Sequence, residues 1–390
     1  MQIFDIAVVG AGIVGTPLAR ALDAQGWSVA LLDAGNNTNT TTQPEPPELS
    51  QRCTAINLGT KRWFEAQGLW PAIAEDACPI KSVHVSHKGY FGSTRLNATD
   101  LDAEAVGFVL NNDVLNSTLR QDISTTGVHY MSGASVQSVS TDGAAVTIKT
   151  DDLQVQAKLL LAADGVSSVV RDSAGIDTRQ VDYEQMAILS MLRLSQPHQH
   201  IAYERFTSSG PLALLPRPGP YMNVVDCIEP DERDAIGAMS DAQYQQRLQQ
   251  RFGYRLGRFD AVGPRFFTPL VRIEATRQVA DRTVLLGNAM RLLHPVGGQG
   301  YNLAMRDVAQ LCTQLHEHRS DDPGSAGMLD AFQHSRQSDQ RQVVRFTDLL
   351  ARGFRGQASL PGHLRAVGLI SLDTVSPLRR QFARQTMGIS

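Results

Sequence analysis

The run Gly10-Ala11-Gly12-Ile13-Val14-Gly15 sets three glycines at G-x-G-x-x-G spacing, directly after the apolar stretch Ile3 to Val9. Residues of this type in this pattern can seat a pyrophosphate. The first glycine allows the tight turn, the second lets the backbone approach the phosphates, and the third lets helix and strand pack closely. A helix starting here would offer free N–H groups and the positive end of its dipole. Asp33 closes the next apolar run, Trp27 to Leu32. Its carboxylate can accept hydrogen bonds from ribose hydroxyls, and an acid there disfavours a 2′-phosphate. The expected resident ligand is therefore FAD or NAD rather than NADP.

Two further stretches could carry chemistry. Leu159 to Arg171, LLLAADGVSSVVR, puts Asp164-Gly165 at a predicted strand end, with Ser168 and Arg171 on a short helix. By itself it reads equally as an ordinary Asp-Gly turn. Leu285 to Asp307, LLGNAMRLLHPVGGQGYNLAMRD, runs from a strand into Gly287-Asn288. It continues through His294-Pro295 and Gly297-Gly298-Gln299-Gly300 into a helix. Glycines at a helix start suit a flat ring or an anion pressed on backbone N–H groups, though a flexible loop would look the same.

The elements that must position these residues follow from hydrophobic period. Ile3–Val9, a helix over Thr16–Gln25 ended by Gly26, and Trp27–Leu32 form a βαβ unit. Asn36 to Gln51 is polar, low in complexity and expected as a surface loop. Arg52 onward is expected to be helical. Ile80–Leu96 and Gly127–Gln156 alternate like strands, the latter with a turn at Thr141-Asp142-Gly143. From about Gln180 to Leu270, short alternating runs predict an antiparallel sheet, interrupted by a helix near Asp241–Arg251. Thr283–Leu286 returns to the buried-strand pattern, and the tail from about Asp307 is expected to be mostly helical. The fold class is α/β plus β. A discontinuous nucleotide-binding domain is expected over 1–75, 104–178 and 270–325, a substrate domain over 76–103 and 179–269, and a C-terminal helical segment over 326–390.

Composition narrows the function classes. The chain has 390 residues, 42% hydrophobic and 19% charged, which excludes general disorder. Its net charge of −3 leaves no electrostatic footprint for nucleic acid. Ile3–Leu22 is apolar but interrupted by Asp5, glycines, Pro17 and Arg20, so no membrane span is expected. Cys53, Cys78, Cys227 and Cys312 show neither metal nor redox spacing and are expected as thiols in a reducing compartment. His198 and His200 lack a nearby acid or cysteine pair, so no metal is expected and both are expected to be solvated.

The three motifs in this order resemble the aromatic-ring flavoprotein hydroxylases, the para-hydroxybenzoate hydroxylase type, over most of the chain and more weakly through the middle. GN in place of the usual GD, together with LHP, GQGYNLAMRD and LDTVSPLRRQFARQTMG, is similar to the ubiquinone-biosynthesis branch. The resemblance implies a Rossmann-type FAD-binding domain of the GR2 class with an antiparallel-sheet substrate domain and C-terminal helices. It implies that Gly10, Gly12 and Gly15 hold the FAD pyrophosphate and Asp33 the adenosine ribose. Arg52 would lie near the flavin phosphates, and Asp164 and Gly165 near both FAD and the nicotinamide donor. Asn288 would meet the ribityl chain without the usual charge. Pro295, Gly297, Gly298, Gln299, Gly300 and Asn302 would line the flavin ring.

The activity so implied is hydroxylation of a polyprenyl methoxyphenol with O2 through a flavin C4a-hydroperoxide, with NAD(P)H as a transient reductant. His294 and Pro295 are the catalytic candidates, His294 as a base for the phenol, although a structural histidine before a proline would look the same. Other ubiquinone-biosynthesis proteins are the implied partners. The implied location is the cytoplasm, with at most peripheral contact with the inner membrane. A monooxygenase of a small soluble aromatic, a non-catalytic FAD-binding scaffold and a reductase of prenyl double bonds remain open alternatives.

Overall fold

The computed structural model describes residues 2–35, 52–90 and 92–353. Asn36–Gln51 and the closing segment, with Arg365, Leu369, Ile370, Leu372, Arg379 and Arg380, lie outside the described residues.

Five parallel strands form the centre of one sheet, in the order Thr283–Leu285, Gln154–Ala162, Gln2–Val9, Val29–Asp33 and His129–Ser132. Ile6, Val8, Leu31, Leu159 and Leu161 are fully buried, as parallel strands covered on both faces must be. The helix Gly15–Ala24 and the helix Gln299–Glu317 cover one face through Leu18, Leu22, Val308, Leu311 and Leu315. The antiparallel hairpin Val136–Thr141/Val146–Thr150 supplies Val136, Val146 and Ile148 to the other.

A second, nine-stranded sheet is mostly antiparallel and centres on the long strand Thr178–Leu194. One of its faces is closed by the helix Asp241–Phe252. Tyr244, Leu248 and Phe252 pack there on Ile188, Leu192, Leu214, Met222 and Val224. Ser240 caps that helix, with Gln243 returning a hydrogen bond to the Ser240 N–H. Ser82–His87 joins the sheet in parallel beside Ile201–Thr207.

A small third sheet pairs Cys53–Asn57 and Cys78–Ile80 with Gly107–Asn111. This corrects the expectation of a helix from Arg52. Cys53–Asn57 is a strand because Gly107–Asn111 offers it a full antiparallel partner, and the helix begins only at Leu58. Asn57 marks the change, its side chain accepting from the Thr60 N–H at 3.0 Å.

The helix Ala326–Gly353 packs on Gln299–Glu317, fastened by the Arg336–Asp307 ion pair at 2.6 Å. No helix among the described residues is long and apolar enough to cross a membrane. The histidine expectation fails at His198. Its ring is buried, with Nε2 shared between the Arg217 and Gly219 carbonyls at 2.9 and 3.0 Å. A turn that must satisfy two inward carbonyls recruits the ring, and spacing along the chain does not reveal that.

Candidate active site

Strand order brings the three motifs to one edge. Gly10 follows Val9, Asp164 follows Ala162 by two residues, Gly287 follows Leu285 by two, and Asp33 ends its own strand. All four are at carboxyl ends of neighbouring parallel strands, where open α/β sheets hold ligands.

The first turn is built by close contact. A Cβ on Gly10, whose φ is +101°, would sit 2.4 Å from the Ala163 carbonyl oxygen, and one on Gly15 would sit 1.9 Å from that of Gly10. A Cβ on Gly12 would meet nothing within 4 Å. Two glycines are thus demanded by the protein's own packing, and the middle one faces open space of the kind a pyrophosphate needs. The helix Gly15–Ala24 has neither a side-chain cap nor an acid in its first turn, so the positive end of its dipole is unopposed there.

Asp33 is held from two elements the motif does not contain. Arg120 pairs with its Oδ2 at 3.2 Å, and the Tyr130 hydroxyl donates to the same oxygen at 3.4 Å. The carboxylate is thereby fixed at the end of its strand. Its partners lie about ninety residues away, and no local signal announced them. Arg52 is exposed just ahead of the strand Cys53–Asn57.

Asp164 packs against the first turn, since the Gly10 Cβ position lies 3.0 Å from its Cα. Its Oδ2 accepts from the Val170 N–H at 3.3 Å, while Oδ1 is buried with no hydrogen-bond partner among the described residues. Burial holds this carboxyl above its usual range, against the pull of its hydrogen bonds to Ser168 and Val170. A ligand hydroxyl would satisfy that oxygen. Arg171 is buried and donates to the Val166 and Ala289 carbonyls at 2.9 and 3.3 Å, which joins the second motif to the third.

In the third motif Asn288, Pro295, Gly297 and Gly300 are exposed, lining the open side of the loop. Gly297 and Gly298 take φ of +70° and +60°, and the helix Gln299–Glu317 starts with no acid in its first turn. Free N–H groups therefore meet whatever lies on the loop, which suits an electron-rich ring edge. Gln299 is buried and turns its amide back to the Gly297 carbonyl at 3.1 Å. Asn302 is not available to a ligand. Its Oδ1 accepts from the Asn57 N–H and the Thr60 hydroxyl, both at 2.8 Å, and its Nδ2 donates to the Ala55 and Gly298 carbonyls at 2.9 and 2.8 Å. It locks the loop onto the small sheet.

His294 is buried under that loop. Its Nδ1 accepts from the Val296 N–H at 3.1 Å, so the ring proton belongs on Nε2, a buried donor with no partner among the described residues. Burial holds its pKa down to about 4 despite Asp348 nearby. The imidazole is neutral and weakly basic, better suited to donating a hydrogen bond than to taking a phenol proton. Tyr183 meets it edge-on at 5.0 Å, and the Tyr183 hydroxyl donates to Asp348, which also pairs with Arg272. Val296 reaches the second sheet, packing with Tyr183, Ala187, Phe206 and Cys227. The loop therefore stands between the strand ends and the face of the large sheet opposite the helix Asp241–Phe252, where Leu350 and Ala351 also pack.

Comparisons with known proteins agree with this geometry. Residues 4–347 match the family described as FAD binding domain. The chain is 33% identical over 402 residues to ubiquinone hydroxylase UbiL of Rhodospirillum rubrum, covering 99% of this chain and 90% of the relative. It is 26% identical to 3-demethoxyubiquinol 3-hydroxylase of Escherichia coli, covering 99% and 98%. Among solved structures, p-nitrophenol 4-monooxygenase PnpA of Pseudomonas putida shares the fold, with a TM-score of 0.80 at 16% identity over 99% of each chain.

Proposed function

Because the chain belongs to the FAD-binding-domain family of flavoprotein aromatic hydroxylases, we propose that it is a FAD-dependent, NAD(P)H-driven monooxygenase that hydroxylates the ring of a polyprenyl methoxyphenol in ubiquinone biosynthesis. Ubiquinone hydroxylase UbiL and 3-demethoxyubiquinol 3-hydroxylase are relatives matched over nearly their full length. The observation that carries the reading is the meeting of the three motifs at one strand edge beside one face of the large sheet. Bound FAD supplies the redox chemistry and the activation of O2.

The residues divide the remaining work. Gly10, Gly12, Gly15 and the first helix turn receive the pyrophosphate, Asp33 the ribose, and Asp164 a hydroxyl of the cofactor. Asn288 and the loop Pro295–Gly300 seat the ring, with Asn302 holding the loop in place. The large sheet closes over the site, holds the phenol at the flavin and keeps water away. His294 donates from Nε2 and supports the loop.

The test is product mass. Purified protein is supplied with NAD(P)H, a polyprenyl methoxyphenol and heavy O2. One labelled oxygen in the ring is the expected result. Two added hydrogens would instead mark a reductase. A flavin never reduced, even with other ubiquinone-biosynthesis proteins present, would mark a scaffold.

A further inference from the structure

One carboxyl on the substrate sheet has a buried oxygen with no hydrogen-bond partner among the described residues. Glu204 lies on the strand Ile201–Thr207, opposite Val85 on one side and Ala213 on the other. The row continues through Val225 to Leu189. Residues paired across a sheet share a face. Glu204 is therefore the one acid in a row of aliphatic side chains, every member of which is only half-buried. Half-burial in the middle of a nine-stranded sheet means open space above it.

That space faces the flavin loop. Phe206 and Cys227, two residues along their strands from Glu204 and Val225, share the same face and pack with Val296. The opposite face is closed by the helix Asp241–Phe252. Glu204 Oε1 is buried with no hydrogen-bond partner among the described residues. A carboxyl in such a place is costly unless something arrives to bind it.

We propose that Glu204 is the catalytic base of this hydroxylase, taking the proton from the phenol hydroxyl of a substrate laid between its aliphatic row and the flavin loop. The proposal rests on the hydroxylase reading above. Burial alone pushes the Glu204 carboxyl up to about 7, which suits a group that exchanges a proton near neutral pH. The titratable groups sharing its face are His87, Cys227, Tyr183, Tyr221 and Arg193, and the end of the helix Ala326–Gly353 brings Asp348 and Arg352 to Tyr183. Among the described residues the facing strands add Pro211, Ala213, Leu215 and Val225, the flavin loop adds Val296, and the end of the helix Ala326–Gly353 adds Leu350 and Ala351. Arg205, Asp226 and Arg251 belong to the other face, where Arg205 donates to the Arg251 carbonyl and Arg251 pairs with Asp226.

The proton path balances. The phenol O–H bond breaks and the proton goes to Glu204, leaving a phenolate whose ring carbon is a stronger nucleophile toward the oxygen activated at the flavin. Two electrons from NAD(P)H and two from the ring C–H reduce O2, one atom entering the ring and the other leaving as water. As the ring regains aromaticity, the carbon loses its hydrogen as a proton. The former phenol oxygen takes its proton back from Glu204. Overall, phenol, O2, NAD(P)H and one proton give the dihydric phenol, NAD(P)+ and water.

The test uses the FAD-loaded full chain and 2-prenyl-6-methoxyphenol as the probe. Bound to oxidised wild type, the probe should show phenolate absorption growing in with a midpoint near neutral pH, well below its range in water. E204Q should keep the bound probe as neutral phenol and lower hydroxylation about 100-fold or more. NAD(P)H oxidation should continue with release of hydrogen peroxide. E204D should recover part of both signals. An E204Q protein with the wild-type phenolate spectrum and rate would overturn the assignment. Should E204Q fail to keep its flavin, wild type decides alone, since a probe that binds but never ionises early would equally overturn it. A wild type that ionises the probe yet oxygenates nothing would support Glu204 as the proton acceptor and sink the hydroxylase reading.

Discussion

The two faces of the nine-stranded sheet each bury a carboxylate, Asp226 on one and Glu204 on the other, and treat them in opposite ways. Asp226 is fully buried but held by two arginines of the covering helix, Arg247 at 2.7 Å and Arg251 at 3.1 Å. Glu204 is flanked by Val85 and Ala213 and has no cation beside it among the described residues. The nucleotide side repeats the contrast with two asparagines. Asn302 has all its polar atoms engaged by the protein, whereas Asn288 is exposed beside the glycine loop. Asp226 and Asn302 are held by charged and polar groups of the protein, whereas Glu204 Oε1 has no hydrogen-bond partner among the described residues and Asn288 is exposed.

The contrast can be broken most forcefully at Asp226. Asp226→Ala leaves the Arg251 guanidinium without its anion and Arg247 with Glu232 alone, and should cost about 3 kcal/mol of stability. Urea denaturation would measure it. A loss below about 1 kcal/mol would mean that the two carboxylates do not differ as described.

Glu204 should show the reverse sign. Its native carboxyl titrates near 7 and its unfolded counterpart near 4.5, so the folded state keeps the proton longer. Its contribution to stability is complete below about 4.5 and falls as pH rises through 7. E204Q, which cannot ionise, should therefore match wild type at pH 5 and exceed it at pH 8 by about 1–3 kcal/mol. Melting curves at the two values would show it, and a gap that is flat with pH would contradict it.

The asparagines sharpen the point on a smaller scale. Asn302→Ala strands the Asn57 N–H and the Gly298 carbonyl, and should lower stability by about 1–3 kcal/mol along with flavin retention. Asn288→Ala should leave the melting temperature within about a degree and weaken FAD binding several-fold. Equal thermal losses would erase the distinction. The smallest effect is expected at Arg120. Its pairing with Asp33 is half-exposed, so Arg120→Ala should weaken FAD binding only two- to five-fold, consistent with the ~0.2–1 kcal/mol of a surface ion pair.

Local sequence carried most of the nucleotide side. Gly10, Gly12, Gly15 and Asp33 sit in a contiguous βαβ unit, and, within the apolar runs, Ile6–Val9 and Leu159–Ala162 are strand segments buried on both faces. Such features depend on neighbours in the chain. The start of the helix after Arg52 was misread because Cys53–Asn57 becomes a strand only when Gly107–Asn111 lies beside it. His198 was misread because its carbonyl partners belong to a turn around Arg217–Gly219.

What the amino-acid order determined unaided was the set of backbone shapes a dinucleotide requires, since glycine spacing and apolar period act over a few residues. Only the tertiary structure decided which polar groups remain unanswered. Asp226 and Glu204 lie in similar alternating strands, and neither strand says which face the arginines of Asp241–Phe252 will cover. Burial and pairing belong to contacts between distant segments, and those contacts turn one acid into a support and leave the other free to take a proton.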